Sequence, residues 1–455
     1  MRSWTANGKT RLLAWQRVRE FAVPPAMIET ATARRMVGDW AGACAAARVD
    51  ADLQPRAVAR THGRDIASRL RADLRHLAPD LLRWHFPRVA PDGLLRPGVT
   101  VALARYDSLH LVARTPPAWA DAGQRISLAL WTRAGDEGRA HPHPRPDRRF
   151  RLDLHRHLWD ARRVGELRQR ACPEGWTAGS EYATHRWGAE ARLLLDADRR
   201  PDGPVLVRLD DGRRLLLSPS GGPHSSFAGP SLPGGADSIG GSGPPLPWPV
   251  AGGRSVAGLP VLPDAAVRVP PDLELLRAGL IHPEQLHPLV AAALAPDAPP
   301  RPANDQGPGG GLERVVDCGG ARHRIGLAGG RLAPLDHDPA ELRREELLAA
   351  LGGTPMPCLR AVAEAVHSPE NLDDVRARID HGDYAGALNV VEALLGPDAL
   401  LRSAALHDEW ETAARRRLTH GMFRAGLTGY GPPRHETEIR RRRERRTHPR
   451  HAKLR

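Results

Sequence analysis

Two stretches of nineteen residues, PAMIETATARRMVGDWAGA (residues 25–43) and PENLDDVRARIDHGDYAGA (residues 369–387), share eight identities without a gap, although 344 positions separate them. The chemistry of each copy is coherent. Pro25 and Pro369 stand where a helix can begin, because the first helical N–H needs no partner. Gly38 and Gly382 can end that helix in the left-handed conformation. Asp39 and Asp383 can then cap a following helix, with Trp40 or Tyr384 packing at the elbow. Ala43 and Ala387 let the two helices approach closely. Each copy is expected to be a helical hairpin.

Working outward from the first copy, Val58, Ile66, Leu70, Leu74, Leu77 and Leu81 form an apolar stripe at helical spacing. From Gly98 the period changes to two. VTVALARY, SLHLVAR and RISLALW each alternate, with Asp107-Ser108 placed for a tight hairpin turn. RFRLDLH at 149–155 reads as a further strand, and VLVRLDDGRRLLLS as a hairpin turning at Asp210-Asp211-Gly212. Residues 219–271 then hold 23 Gly or Pro in 53 positions, well above the roughly 25–30% that marks low-complexity sequence. Such a segment is expected to be a disordered linker, because it buries too little apolar surface to offset its ordering entropy.

The expected class is α+β, with helical-hairpin modules at both ends flanking small antiparallel hairpins and a long Gly/Pro-rich linker. The boundaries read as an N-terminal segment (1–23), a helical module (24–96), a mixed antiparallel β domain (97–218), the linker (219–271), short helices (272–295), a second linker (296–311), a β hairpin (312–338), a helical module (339–430) and a basic tail (431–455). The elbow GD(W/Y)xxA, at Gly38-Asp39-Trp40 and Gly382-Asp383-Tyr384, resembles the turn of a tetratricopeptide repeat over about a dozen residues per copy. That resemblance implies a helix–turn–helix unit that holds partner segments; no adjacent 34-residue period accompanies it.

The four cysteines, Cys44, Cys172, Cys318 and Cys358, lie far apart with no CxxC. Spacing therefore argues for a reducing compartment and against a cysteine zinc site. No secretory signal and no apolar run of membrane-crossing length is present, so the expected location is cytoplasmic, with no membrane partner. Almost all of the base is arginine, with only Lys9 and Lys453 as lysines, a bias that fits a GC-rich bacterial genome. Of the net charge of +13, ten Arg/Lys against three Glu from Pro433 onward supply +7. Arg440, Arg441, Arg442, Arg443, Arg445, Arg446 and Arg450 are the candidate contacts to RNA or DNA phosphates, a salt-sensitive interaction without base readout.

Neither GxxxxGK[ST], GxSxG nor HExxH occurs. The candidate metal ligands are Asp153, His155 and His157, which would share one face if 150–157 were a strand. Neighbours on such a face stand about 6.6 Å apart, so zinc would need ligands from elsewhere. His141, His143 and the Asp336-His337-Asp338 run are candidates. The expectation is a non-enzymatic scaffold or adaptor without a cofactor, holding a protein partner through its hairpins and touching nucleic acid through the tail. The alternatives are a metal-dependent hydrolase centred on the His-x-His pair, with zinc as its cofactor, and an RNA- or ribosome-associated factor.

Overall fold

The structure, a computed structural model, describes residues 8–428 except 90, 134, 138–140, 172–180, 210–212, 220–247, 250–255, 257, 298–313, 319, 329–330, 368 and 396–403. The basic tail, the Asp210-Asp211-Gly212 turn and most of the two Gly/Pro-rich segments lie outside the described residues. The protein is α+β and divides into two units: residues 1–121 and 125–298 with 422–455, and residues 122–124 with 299–421. No helix among the described residues is long and apolar enough to cross a membrane.

The first unit begins with α1 (Gly8–Phe21), α2 (Pro25–Met36), α3 (Trp40–Ala46), β1 (Val49–Ala51), α4 (Pro55–Thr61), α5 (Arg64–His76) and α6 (Pro79–His85). A two-stranded ribbon, β2 (Arg88–Val89) and β3 (Leu94–Leu95), leads to β4 (Thr100–Tyr106), β5 (Leu109–Arg114), β6 (Ile126–Thr132) and β7 (Gly135–Glu137). These strands form one sheet in the order β1-β6-β5-β4, with β7 paired to β6. β1 runs parallel to β6 and the other pairs are antiparallel. The β4–β5 turn falls at Asp107-Ser108 as expected, with Asp107 at φ +56°, a conformation that short polar side chains tolerate.

The strands are more deeply buried than alternation predicts. In β4 the intervening positions are alanines, and Ala102 and Ala104 are as buried as Val101 and Leu103. Both faces are covered. α5 lies against β4, where the Tyr106 hydroxyl donates to Asp73 at 2.7 Å. The expected strand at 149–155 is absent. Residues 147–153 run beside β4 through one parallel bridge, Ala102 to Arg151, and backbone bonds from Asp147 to Thr100, Ala102 to Phe150 and Asp153 to Ala102, without extending into a strand. The chain then folds into turns and a short 3-10 helix at 156–158. Local bonds win here: Arg151 clamps Asp153 two residues away at 2.8 and 2.9 Å, and the Leu154 and His155 amides turn back onto the carbonyls of Arg151 and Leu152.

The unit continues with α7 (Glu166–Ala171), α8 (Trp187–Ala197), β8 (Val205–Arg208), β9 (Arg214–Leu217), β10 (Trp248–Pro249), α9 (Asp264–Val267), α10 (Pro271–Arg277) and α11 (Pro288–Leu294). One continuous apolar core runs from Trp15 to Ala293 and takes residues from helices and strands alike. The boundary drawn at 96/97 is therefore not a domain boundary; the change of period marks a change of secondary structure inside one core. The linker is also shorter than composition predicts. Leu262, Ala266 and Val267 are buried in a second core with Trp187, Leu194, Val205 and Val207, and the Trp187 indole N–H donates to the Val267 carbonyl at 3.0 Å.

In the second unit, β11 (Arg314–Cys318), β12 (Ala321–Ala328) and β13 (Arg331–Pro334) form a three-stranded antiparallel sheet, where a hairpin was expected. The helices α12 (Pro339–Ala350), α13 (Pro357–His367), α14 (Pro369–Asp380), α15 (Tyr384–Leu395) and α16 (Ala404–Arg424) follow. Val375, Ile379, Ala387, Val391 and Ala413 form its largest apolar cluster, with Tyr384 and Trp410 packed against it.

Both matched stretches are helical hairpins, α2–α3 and α14–α15, with the same elbow. Gly38 and Gly382 take φ +79° and +81°. Asp39 accepts from the Gly42 amide at 2.8 Å and Asp383 from the Gly386 amide at 3.2 Å. Arg34 holds the first carboxylate at 3.3 Å and Arg378 the second at 3.1 Å. A Cβ on Gly42 or on Gly386 would lie 2.1 Å from Oδ2 of the capping aspartate, the oxygen held by Arg34 or Arg378. We therefore expect Gly42→Ala and Gly386→Ala to evict the cap and cost about 0.5–2 kcal/mol, as Asp39→Ala and Asp383→Ala do. In the Asp→Ala background the same Gly→Ala change should instead stabilise by up to about 1 kcal/mol, because alanine is the better helix former. Denaturant midpoints of the four single and two double variants measure this; equal effects in both backgrounds would show that the cap is not what excludes a side chain.

Candidate functional site: an arginine-lined pocket

The expected metal ligands do not converge. His155 and His157 are buried within the first unit in an ion-pair network around Glu190 of α8. His155 Nε2 lies 3.2 Å from a Glu190 oxygen, and its Nδ1 lies 3.1 Å from the Arg151 carbonyl. Arg170 reaches both Glu190 oxygens at 3.1 and 2.6 Å and His157 Nδ1 at 3.2 Å, and Arg186 adds a further bond to Glu190. Burial alone would raise the Glu190 carboxyl, but the contact with His155 and the charge of Arg170 hold it far below the usual carboxylate range. Burial, reinforced by His155 and Arg170, keeps His157 neutral well below its ordinary pKa. Asp153 is occupied by Arg151 and Arg105. These groups satisfy one another, and nothing in the arrangement asks for an ion.

The feature that the sequence does not reveal is a cavity of about 120 Å³ in the first unit, well above the roughly 10–15 Å³ that one water needs. Six arginines line it: Arg19 from α1, Arg88 from β2, Arg96 from the segment after β3, Arg149 and Arg151 from the turn beside β4, and Arg268 after α9. Trp15, Phe86, Phe150, Leu152 and Leu158 supply apolar walls, and Asp264 is the one carboxylate in the lining. The lining contains no hydroxyl, thiol or amine side chain. It is equipped to hold charge, and Asp264 and His85 are the two lining groups that could act as base or nucleophile.

Four of these arginines have carboxylates placed beyond the lining. Arg19 grips Asp272 of α10 through Nε and Nη2 at 2.7 and 2.9 Å, donates to the Trp84 carbonyl at 2.7 Å, and lies 4.3 Å from the Trp84 ring centroid. Arg149 pairs with Asp147, Arg151 with Asp153 and Asp198, and Arg268 with Glu181. Arg88 differs. Its side chain is 0% exposed and donates to two backbone carbonyls, Gly93 at 3.0 Å and Arg83 at 2.7 Å. Its Nε is buried without a hydrogen-bond partner, and no carboxylate pairs with it among the described residues. Burial, with the repulsion of Arg19, pulls its pKa down to about 9. His85, at the end of α6, lines the same cavity with a buried, unbonded Nε2; burial and Arg19 hold it neutral well below its ordinary pKa.

Arg88 could have drawn notice in the sequence. LLRWHFPRVA (81–90) sets two arginines and one histidine in an otherwise apolar run, and a guanidinium there must be either buried or led out to water. No protein family, curated protein or solved structure matches the chain.

Proposed function

We propose that the first unit is a binding module for a compact oxyanion, a phosphate or carboxylate group carried by a small molecule, and that the pocket acts by recognition without chemistry on the ligand. The observation that carries this reading is Arg88: a fully buried guanidinium that bonds only backbone carbonyls and is paired with no carboxylate among the described residues. Burying a cation costs several kcal/mol unless an anion answers it, and the planar guanidinium fork matches a phosphate or carboxylate edge. The aromatic walls fit an apolar body attached to that group.

The test compares full-length wild type with Arg88→Gln and Arg96→Gln, using pyrophosphate and malonate against chloride at equal ionic strength. At a ligand concentration one hundred times Kd, mass action should stabilise wild type by about 2.7 kcal/mol. Both variants should lose most of that gain while keeping their unliganded fold. Equal stabilisation of all three proteins would mean a general salt effect and would sink the reading.

The scaffold reading stands second, on a separate observation: Met36 and Val37, beside the first elbow, are 76% and 79% exposed, an uncommon pair of apolar side chains to leave in water at a hairpin tip. A partner recovered equally well by Met36→Asp/Val37→Asp protein would remove it.

A further inference from the structure

We infer that the second unit holds a divalent transition-metal ion of the zinc class through Cys318, His337 and Cys358. Cys318 ends β11 and pairs with Ala321 across the turn to β12. His337 follows β13, one residue before the α12 cap Asp338. Cys358 is the second residue of α13, which packs on the sheet. The ligand atoms of these three side chains all lie within 4.8 Å of one another. An ion about 2.3 Å from each sulfur and about 2.0–2.1 Å from nitrogen places tetrahedral ligands roughly 3.5–3.8 Å apart. The three groups therefore need to close by about 1.3 Å at most.

The surroundings fit a metal better than a spare thiol pair. Both cysteines are buried and reduced. The His337 side chain is 6% exposed, with Nε2 buried and unbonded, while its Nδ1 lies 3.8 Å from a Glu341 oxygen. At that distance Glu341 makes no hydrogen bond to the ring, and the unbonded Nε2 is the nitrogen free to ligate. His323 stacks on the His337 ring at 3.8 Å between centroids and 15° between planes. An imidazole binds an ion in its own plane, so an ion held by His337 lies out of the plane of His323. His323 buttresses the ligand. Two thiolates balance the dication, and sulfur with imidazole selects zinc over the hard cations.

The position also suits a structural staple. Beside the three strands, the local apolar cluster is small, Ile325 and Ala361 with Val316 and Val362 packed against them. An ion tying a strand end, a connection and a helix start would replace a core that these residues are too few to supply.

The experiment uses full-length protein without an affinity tag, purified under reducing conditions. Elemental analysis should find one zinc per chain, lost in Cys358→Ser and in His337→Gln. Cobalt added to metal-free wild type should give tetrahedral d–d bands and a thiolate-to-cobalt charge-transfer band, a readout that survives if either variant folds poorly. Chelation should lower the thermal midpoint of the second unit. Metal-free wild type without a cobalt thiolate band, full zinc occupancy in Cys358→Ser, or a Cys318–Cys358 disulfide in protein alkylated at lysis would each overturn the assignment.

Discussion

Asp272→Ala should cost about 3–5 kcal/mol, the range for stranding one partner of a buried ion pair. Asp272 is 0% exposed and holds three groups together: the Nε and Nη2 of Arg19 and, at 3.2 Å, the indole N–H of Trp84. Its removal leaves the Arg19 guanidinium wedged near the rings of Trp84 and Trp15, at 4.3 and 5.0 Å, without a counter-charge. Arg19→Met/Asp272→Leu should recover much of the loss, because apolar side chains in place of a buried pair are often neutral or better. Urea unfolding followed by tryptophan fluorescence measures both. A single variant costing less than about 1 kcal/mol would show that water reaches the pair.

Acid is the second large effect. Burial holds His85 and His157 neutral well below the ordinary histidine range, and it lowers His141 and brings His110 to about 4. In the unfolded chain these rings take protons near pH 6.5. The unfolded state therefore binds more protons, and stability falls as pH drops from about 6.5 toward the folded values. His85 and His157 alone should contribute about 2–3 kcal/mol per pH unit in that window, at about 1.4 kcal/mol for each proton. Glu190 acts later and with the same sign. Its carboxyl is depressed in the fold, so its contribution is intact above about pH 4.3 and is lost below it. Denaturant unfolding between pH 7 and 5 should show the slope, and His157→Gln should remove one proton's share of it. A flat profile would mean that these rings are wet.

What could be read in the sequence is what short-range chemistry determines. The elbows are legible because the positive-φ glycine, the capping aspartate and the capped amide lie within five residues. The Asp107-Ser108 turn and the stripe from Val58 to Leu81 are legible for the same reason. The alternation of Phe150, Leu152 and Leu154 misleads, because the segment follows β4 only as far as Asp153, where the Arg151–Asp153 clamp and the turn bonds of Leu154 and His155 take over. Gly/Pro content misleads over 258–271, where a few apolar residues are enough to fix the chain in a core. The pocket and the thiol–imidazole cluster are invisible to spacing. Arg19, Arg88 and Arg268 meet only through the fold, and so do Cys318 and Cys358.

The Arg19–Asp272 pair also sets a clock. Its partners are 253 positions apart, and at about 5–20 residues per second the ribosome delivers the second roughly 13–50 s after the first. The Asp80–His287 pair, 207 positions apart, imposes a similar delay. Throughout that interval α1 and α6 have been made, yet the surfaces meant for α10 and α11 face solvent. Chaperone occupancy of the nascent chain should therefore persist until α11 has cleared the exit tunnel, and synonymous codons that slow the last stretch before α10 should lengthen it.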